Sequence, residues 1–153
     1  MIAVLQRVIE ASVRVAGEIV GSIEEGCLVY LGVAQGDAEA DAIYIAGKVV
    51  DLRIFPDEAG KMNLSLRERC ESGAPAGVLA VSQFTLLGDV RKGRRPSFND
   101  AEEPNRANEL FETFARELDS RGITTATGVF GAHMAVDYVN DGPVTLIIDS
   151  RRK

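Results

Sequence analysis

The stretch CLVYLGV at residues 27–33 is apolar throughout, and the stretch VLAV at residues 78–81 has the same character. A short, continuous apolar run predicts a strand that is buried on both faces of a sheet. A sheet of this kind needs covering layers, so the rest of the chain is expected to supply elements that pack against it.

Further strands are predicted towards both ends of the chain. Residues 2–9, 12–15 and 19–23 are rich in β-branched residues, as strands are. Residues 134–139 and 144–149 have the same character and flank the turn-forming sequence Asn140-Asp141-Gly142-Pro143. We therefore expect two separate strands at the C-terminal end of the chain.

Two helices complete the prediction. The first is expected to begin near Asp37 as its N-cap, with one face formed by Ile43, Ala46, Gly47 and Val50. The second is expected over residues 104–120, with proline near its start and Gly122 just past its end. Its apolar stripe is Ala107, Leu110, Phe111, Phe114, Ala115 and Leu118. The order of elements predicts a single α/β domain over residues 1–153, with a mixed, largely antiparallel sheet or barrel covered by two helices.

Composition and charge exclude several classes of protein. The chain has 153 residues and a net charge of −6, and no apolar run is long enough to predict a membrane span. The N-terminal sequence does not have the pattern of a signal peptide, so a cytoplasmic location is expected. Cys27, Cys70 and the single histidine, His133, form no ligand cluster, so neither a metal nor a cofactor is expected.

The sequence contains none of the common catalytic motifs of nucleotide-binding proteins, zinc proteases or nucleophile-elbow hydrolases. A serine triad would need His133 as its base, and Asp137 is the nearest acidic residue that follows it. In a strand, residues four apart are separated by about 13 Å, which is too far for a hydrogen bond. A general esterase of the triad type is therefore disfavoured.

Two polar segments are candidates for a functional site. Ser82, Gln83, Phe84 and Thr85 follow the apolar strand at residues 78–81, where they either line a pocket or cap the next turn. Residues 140–145, NDGPVT, form either a hairpin loop or a ligand-facing loop with a cis Gly142–Pro143 bond, since an X–Pro bond adopts the cis form at modest cost.

Basic residues are concentrated in two places, RKGRR at residues 91–95 and RRK at residues 151–153. On an acidic protein, such clusters form either a local patch that contacts phosphates or an ordinary solvated loop and tail.

Six motifs in order along the chain resemble the D-aminoacyl-tRNA deacylase family. They are VLQRV (4–8), GKMNLS (60–65), SQFTL (82–86), KGRRPSF (92–98), GVFGA (128–132) and NDGPVT (140–145). The resemblance extends over essentially the whole chain. It departs at His133, where the family pattern has an acidic or other polar residue before Met134, and the family does not use that position for catalysis.

The resemblance implies a homodimer with active sites at the subunit interface and the acceptor end of D-aminoacyl-tRNA as substrate. Ser82, Gln83, Phe84 and Thr85 would line the catalytic pocket, and Phe130 and Met134 would contact the terminal adenosine. Gly142 and Pro143, with a cis bond between them and with Arg7 holding their loop, would enter the partner's pocket and reject L-amino acids. Glycine has no side chain, so mischarged glycyl-tRNA is also an expected substrate.

The resemblance favours attack by water, assisted by the ribose hydroxyl of the substrate, while Thr85 remains an alternative nucleophile. A backbone N–H near Phe84 and Thr85 is expected to stabilise the oxyanion. Two rival hypotheses remain, a tRNA-end binding module without catalytic activity and a structural dimer in which the Gly142–Pro143 loop seals the interface. Release of amino acid from D-aminoacyl-tRNA distinguishes the enzyme from both.

Overall fold

The computed structural model describes residues 1–152, and Lys153 of the basic C-terminal cluster lies outside the described residues. The elements in chain order are β1 (Ile2–Val15), β2 (Glu18–Ile23), β3 (Gly26–Gly32), α1 (Glu39–Asp51), β4 (Phe55–Pro56), β5 (Met62–Leu64), α2 (Leu66–Glu71), β6 (Gly77–Ser82), a 3₁₀ turn (Phe84–Leu87), α3 (Pro104–Ser120), β7 (Thr124–Thr127) and β8 (Ala135–Asp149).

The long strand β1 organises the main sheet. One of its edges pairs antiparallel with β3 and then with β2, and its other edge pairs antiparallel with β8. Strand β6 joins β3 in parallel, and β7 joins β6 in parallel, so the sheet is mixed as predicted. The buried strands predicted from residues 27–33 and 78–81 are β3 and β6, and they lie next to each other.

The sheet curves until it is nearly closed into a barrel. Strand β2 approaches β7 so closely that a Cβ atom on Gly21 would lie 2.5 Å from the carbonyl oxygen of Thr127. Only glycine fits at this approach. The predicted fold class, a mixed α/β sheet or barrel with covering helices, is confirmed.

Helices α1 and α3 pack against each other and against the sheet, and their apolar residues belong to the main core. Helix α3 has the bounds predicted from the sequence, and Glu103 caps it by accepting hydrogen bonds from the N–H groups of Asn105 and Arg106. The short helix α2, which was not predicted, begins with a capping box in which Ser65 and Glu68 exchange hydrogen bonds. In the described part of the chain, no helix is long and apolar enough to cross a membrane.

Helix α1 begins near Asp37 as predicted, but the prediction that Asp37 is its N-cap was wrong, because the N-cap is Ala38. The Asp37 carboxylate instead accepts a hydrogen bond from the Ala34 N–H and pairs with the N-terminal ammonium at 2.7 Å. The predicted face was also partly wrong, since Ala46 and Val50 are buried but Ile43 is exposed. The face that α1 buries consists of Ala42, Ile45, Ala46, Val49 and Val50.

The prediction of two separate C-terminal strands was also wrong, and of the two alternatives for residues 140–145 the hairpin loop is excluded. Strand β8 is continuous from Ala135 to Asp149, and both halves pair with β1. In the register, Gln6 faces Thr145 and Val8 faces Asn140, so the four residues 141–144 stand opposite Arg7 alone. Aspartate, glycine and proline, which usually form turns, here lie in a bulge of four residues within one strand.

Candidate active site

A cavity of about 250 Å³ opens at the C-terminal end of β6. Its walls come from four parts of the fold: the ends of β3 and β6, the start of α3, and the loop that joins β7 to β8. The lining residues are Leu31, Val33, Val81, Ser82, Gln83, Phe84, Glu102, Ala107, Phe111, Phe130, Gly131, Ala132, His133, Met134 and Val136. The cavity therefore has an apolar lining with a few polar groups, as is usual for small-molecule sites.

The polar segment after β6 forms one wall of this cavity. Ser82 ends the strand, and the Gln83 N–H donates to the carbonyl oxygen of Leu31 at 2.8 Å, which fixes the segment to β3. Phe84 lines the cavity although it is 58% exposed. Phe84 and Thr85 begin the 3₁₀ turn, and the first N–H groups of such a turn have no acceptor inside it. These two donors are thus available to a ligand.

Thr85 lies beside the cavity without lining it. Its side chain is exposed, and its hydroxyl accepts a short hydrogen bond from the Gln83 amide. Within residues 1–152, no histidine or carboxylate is hydrogen-bonded to this hydroxyl. The geometry thus favours a supporting role for Thr85, through the orientation of Gln83.

The opposite wall is the loop between β7 and β8. The Gly128 N–H donates to the carbonyl oxygen of Ala80 at 3.0 Å, so this loop is tied directly to β6. The Phe130 ring packs against the Phe111 ring, with 6.5 Å between centroids. Met134 closes over Gly128, where a Cβ atom would lie only 2.5 Å from the Met134 sulfur. An aromatic ring and a thioether therefore line the same cavity as the polar segment.

Several lining residues were not predicted from the sequence. Glu102 is the one carboxylate among the residues that line the cavity. It lies just before α3, where the sequence indicates no more than a helix start. His133 also lines the cavity, but Asp137 is paired with Arg14 and not with this histidine, so no triad is formed.

Arg7, Gly142 and Pro143 lie together away from this cavity. Arg7 is buried, donates to the carbonyl oxygen of Ile54, and places its Nε 2.8 Å from the Asp141 carboxylate. That distance makes an ion pair, although the N–H direction does not meet the geometry of a hydrogen bond. Gly142 packs so closely on Arg7 that an added Cβ atom would lie 3.0 Å from the guanidinium.

Asn140 closes the neck of the bulge. Its side-chain amide donates to the carbonyl oxygens of Arg7 and Val144, at 2.9 Å and 3.1 Å. Gly142 and Pro143 themselves are exposed, and the peptide bond between them is cis, as the family resemblance implies. The bulge is therefore held at its base and free at its tip.

The predicted site residues thus fall into two groups. Ser82, Gln83 and Phe84 meet Phe130 and Met134 around one cavity, with Thr85 beside it. Arg7, Gly142 and Pro143 form a second group on β1 and β8 and do not line that cavity. In one chain, the two groups therefore stand apart.

The cysteines lie outside both groups. Cys27 is fully buried in β3, and this burial raises the pKa of its thiol to about 12. Cys70 is half-buried and its pKa is also raised, chiefly by burial. Neither forms a disulfide, and residues 1–152 contain no cluster of three or more His, Cys, Asp or Glu side chains placed to hold a metal ion.

Comparison with known proteins identifies the family. The model of the family described as D-Tyr-tRNA(Tyr) deacylase matches residues 4–149. Proteins named D-aminoacyl-tRNA deacylase are 57% identical in Geobacter metallireducens, over 98% of this chain and 96% of the relative, and 53% identical in Desulforamulus reducens, over 99% of each chain. A solved structure titled c-Myc DNA Unwinding Element Binding Protein superposes with a TM-score of 0.88, at 36% identity over 97% of this chain and 98% of that chain. The chain belongs to the D-Tyr-tRNA(Tyr) deacylase family.

Proposed function

We propose that this protein is a cytoplasmic enzyme that hydrolyses the ester bond of D-aminoacyl-tRNA, releasing the D-amino acid and free tRNA. The observation that carries the proposal is the cavity at the end of β6, where Ser82, Gln83 and Phe84 face Phe130 and Met134. The names of its relatives support the substrate class.

The cavity has the size and chemistry for the end of a charged tRNA. Its volume of about 250 Å³ lies near the lower end of ligand pockets, roughly 300 Å³, and suits a terminal nucleoside and not a longer chain. The Phe130 ring offers an apolar face on which a base can stack, a contact worth about 1–3 kcal/mol. Adenosine is thus placed against Phe130 and Met134, with its aminoacyl ester towards Phe84.

Hydrolysis at this position needs an oxyanion site and a water molecule. The N–H groups of Phe84 and Thr85 are free within the 3₁₀ turn, and one donor of this kind is worth about 2.7–4 kcal/mol in the transition state. Water attacks the ester carbonyl carbon, the bond to the ribose oxygen breaks, and the ribose oxygen receives a proton. The exposed position of Thr85 and its hydrogen bond from Gln83 favour water over Thr85 as the nucleophile.

We assign the discrimination between D- and L-amino acids to the bulge at residues 141–144. Gly142 and Pro143 project from the fold while Arg7, Asp141 and Asn140 hold the base of the bulge. Backbone carbonyls presented by such a tip bind the substrate's amino group and leave no room for an L side chain. A D side chain points outward and is tolerated, and glycyl-tRNA, which has no side chain to reject, is a substrate as well.

The bulge acts on a second copy of the chain. Strand β8 pairs only with β1 among residues 1–152, so its other edge is open along fifteen residues. Ile147 is 76% exposed and Val139 is 46% exposed on this same strand. An open edge with exposed apolar side chains favours association. A homodimer formed along β8 would carry each Gly142–Pro143 tip towards the partner's cavity and complete an active site at the interface.

The test is release of amino acid from D-tyrosyl-tRNA by the purified protein in a single-turnover reaction. We expect release well above the spontaneous rate, and loss of that release in the Phe130→Ala variant. Binding of the charged tRNA without release would instead support a binding module, and no binding at all would support a structural dimer. Release from glycyl-tRNA in the same assay tests the second substrate.

A further inference from the structure

We infer that Lys92, Arg94 and Arg95 form a binding surface for the phosphodiester backbone of the RNA whose aminoacyl end enters the cavity. The inference rests on the proposed function, because it is the substrate of that cavity which brings the phosphates. The loop that contains these three residues, residues 89–98, is termed the basic loop.

The basic loop is closed at its base. Asp89 and Ser97 exchange two backbone hydrogen bonds of 2.7 Å and 3.0 Å, so residues 90–96 project as one unit. Gly93, near the tip, has φ +72°, a conformation that glycine adopts without strain. Lys92, Arg94 and Arg95 are all exposed there.

The loop lies beside the mouth of the cavity. Phe98, at its end, packs edge-on against Phe84, with 5.1 Å between the ring centroids, and Phe84 is part of the cavity wall. Phe98 therefore fixes one end of the basic loop to the cavity wall at Phe84, and the phosphates of an RNA whose aminoacyl ester lies at Phe84 pass near this loop.

The charge of the loop is unbalanced. Residues 89–98 contain four cations and one carboxylate, a net charge of +3 in a chain whose net charge is −6. The carboxylate, Asp89, is already engaged by Arg91 through two side-chain contacts of 2.9 Å and 2.7 Å, and this pair lowers the pKa of Asp89 to about 2. Lys92, Arg94 and Arg95 have no ion pair with any residue between 1 and 152. A cluster of unpaired cations on an acidic protein attracts a polyanion locally.

The second basic cluster lies next to the first. Arg151 and Arg91 line one surface depression together with Asp100, and Arg151 is held by Asp149 at 2.9 Å. Both arginines are engaged, Arg91 by Asp89 and Arg151 by Asp149, so this depression adds no unpaired cation to the basic loop. The unpaired cations are those of the basic loop, Lys92, Arg94 and Arg95, and they face solvent.

The experiment compares two triple variants on two substrates. The first changes Lys92, Arg94 and Arg95 to glutamine. The control changes Lys48, Lys61 and Arg116 to glutamine, which removes the same charge from exposed positions on α1, the β4–β5 hairpin and α3. The substrates are D-tyrosyl-tRNA, which has the phosphate backbone, and D-tyrosyl-adenosine, which lacks it, and kcat/KM is measured between 50 and 200 mM salt.

Three phosphate contacts change the logarithm of affinity by about 2–3 per tenfold change in salt, or about 20- to 40-fold over this range. On D-tyrosyl-tRNA, we expect kcat/KM of the basic-loop variant to lose this share of its salt dependence, while kcat/KM of the control keeps it. On D-tyrosyl-adenosine, both variants should retain the wild-type kcat/KM. The inference would be overturned if the two triple variants had equal salt dependence on D-tyrosyl-tRNA, or if the basic-loop variant lost kcat/KM equally on both substrates.

If the wild-type protein releases amino acid from neither substrate, it is the proposed function that fails. The basic loop is then judged by the binding of uncharged tRNA to the same variants. A weaker and less salt-dependent affinity in the basic-loop variant alone supports the surface, and equal affinities of the two variants refute it.

Discussion

Replacing Gly142 with alanine should impair activity far more than it impairs folding. Gly142 has φ +114°, and an added Cβ atom would lie 2.9 Å from Val144 Cγ2 and 3.0 Å from the Arg7 guanidinium. Ordinary van der Waals contact begins at 3.4 Å, so the tip of the bulge must move about 0.4 Å away from the Arg7 guanidinium. Because Arg7 is buried and bound to Ile54 and Asp141, we expect the bulge and not the arginine to shift.

The size of the effect follows from that displacement. A 1 Å misplacement in an active site costs about 100-fold in rate, so a shift of about 0.4 Å should reduce kcat/KM on D-tyrosyl-tRNA by about sixfold. The matched control is Gly60→Ala, since Gly60 has φ +76° and nothing within 4 Å of its Cβ position. Both variants carry a backbone strain of about 1–2 kcal/mol, and the melting temperature should fall by about 2–4 °C per kcal/mol in each. Equal kcat/KM values in the two variants would refute the role assigned to Gly142.

The same variant tests whether the bulge acts on the partner subunit. Ala132→Trp fills the cavity without touching the bulge, because Ala132 is on the cavity wall. In a mixed dimer of Gly142→Ala and Ala132→Trp, one site combines an intact cavity with an intact bulge if the bulge acts across the interface. Random reassembly makes half of the dimers mixed, and each mixed dimer then has one intact site out of two. The activity should therefore reach about a quarter of the wild-type value, in addition to the residual activity of the two parent variants. Activity that stays at the mean of the two parent variants would place the bulge in its own subunit's site.

Other predictions concern single residues. Thr85→Ala should keep substantial turnover on D-tyrosyl-tRNA, and a trapped acyl-enzyme on Thr85 would show that water is not the first nucleophile. In the native protein, Cys27 should not react with a thiol reagent at pH 8, because burial raises its pKa to about 12; it should react once the chain is unfolded. Arg91 lowers the pKa of Asp89 from 3.8 to about 2, so this pair stabilises the basic loop above pH 4 and its contribution is lost as the pH falls through about 2. Chemical shifts of the loop should follow that titration in the wild type and not in Asp89→Asn, and a midpoint near 3.8 would contradict it.

The elements that the sequence predicted well are those specified by local pattern. The apolar runs at residues 27–33 and 78–81 became the adjacent strands β3 and β6. Helix α3 begins at Pro104 and ends at Ser120, as its apolar spacing and its terminal residues indicate. Strand β7 was not predicted, because TTAT at residues 124–127 has no apolar alternation and is positioned by pairing with β6.

The C-terminal bulge shows why a local pattern is not enough. The sequence NDGP has the same residue types in a hairpin turn and in a bulge. What separates the two is whether the flanking segments pair with each other or with a third strand. Here both flanks pair with β1, and the paired residues are 121 or more positions apart along the chain. That choice depends on the whole sheet and is not encoded in residues 140–143.

The candidate site was partly predictable for a related reason. Ser82 and Gln83 stand out because polar residues follow a buried strand, and that signal is local. Glu102 and His133 reach the same cavity from the segment just before α3 and from the β7–β8 loop, which are brought together only when the sheet and helix pack. The roles of Gly142 and Pro143 came from resemblance to the family, and the structure of one chain keeps them apart from the cavity.

The central claim is that the protein is a deacylase that distinguishes the two enantiomers of an amino acid attached to tRNA. The most direct measurement is the initial rate of amino-acid release from D-tyrosyl-tRNA and from L-tyrosyl-tRNA, at equal concentrations and with the same enzyme preparation. We predict rapid, enzyme-dependent release of D-tyrosine and release of L-tyrosine at the spontaneous rate. Equal enzyme-dependent rates for the two, or no release of D-tyrosine above the spontaneous rate, would contradict the claim.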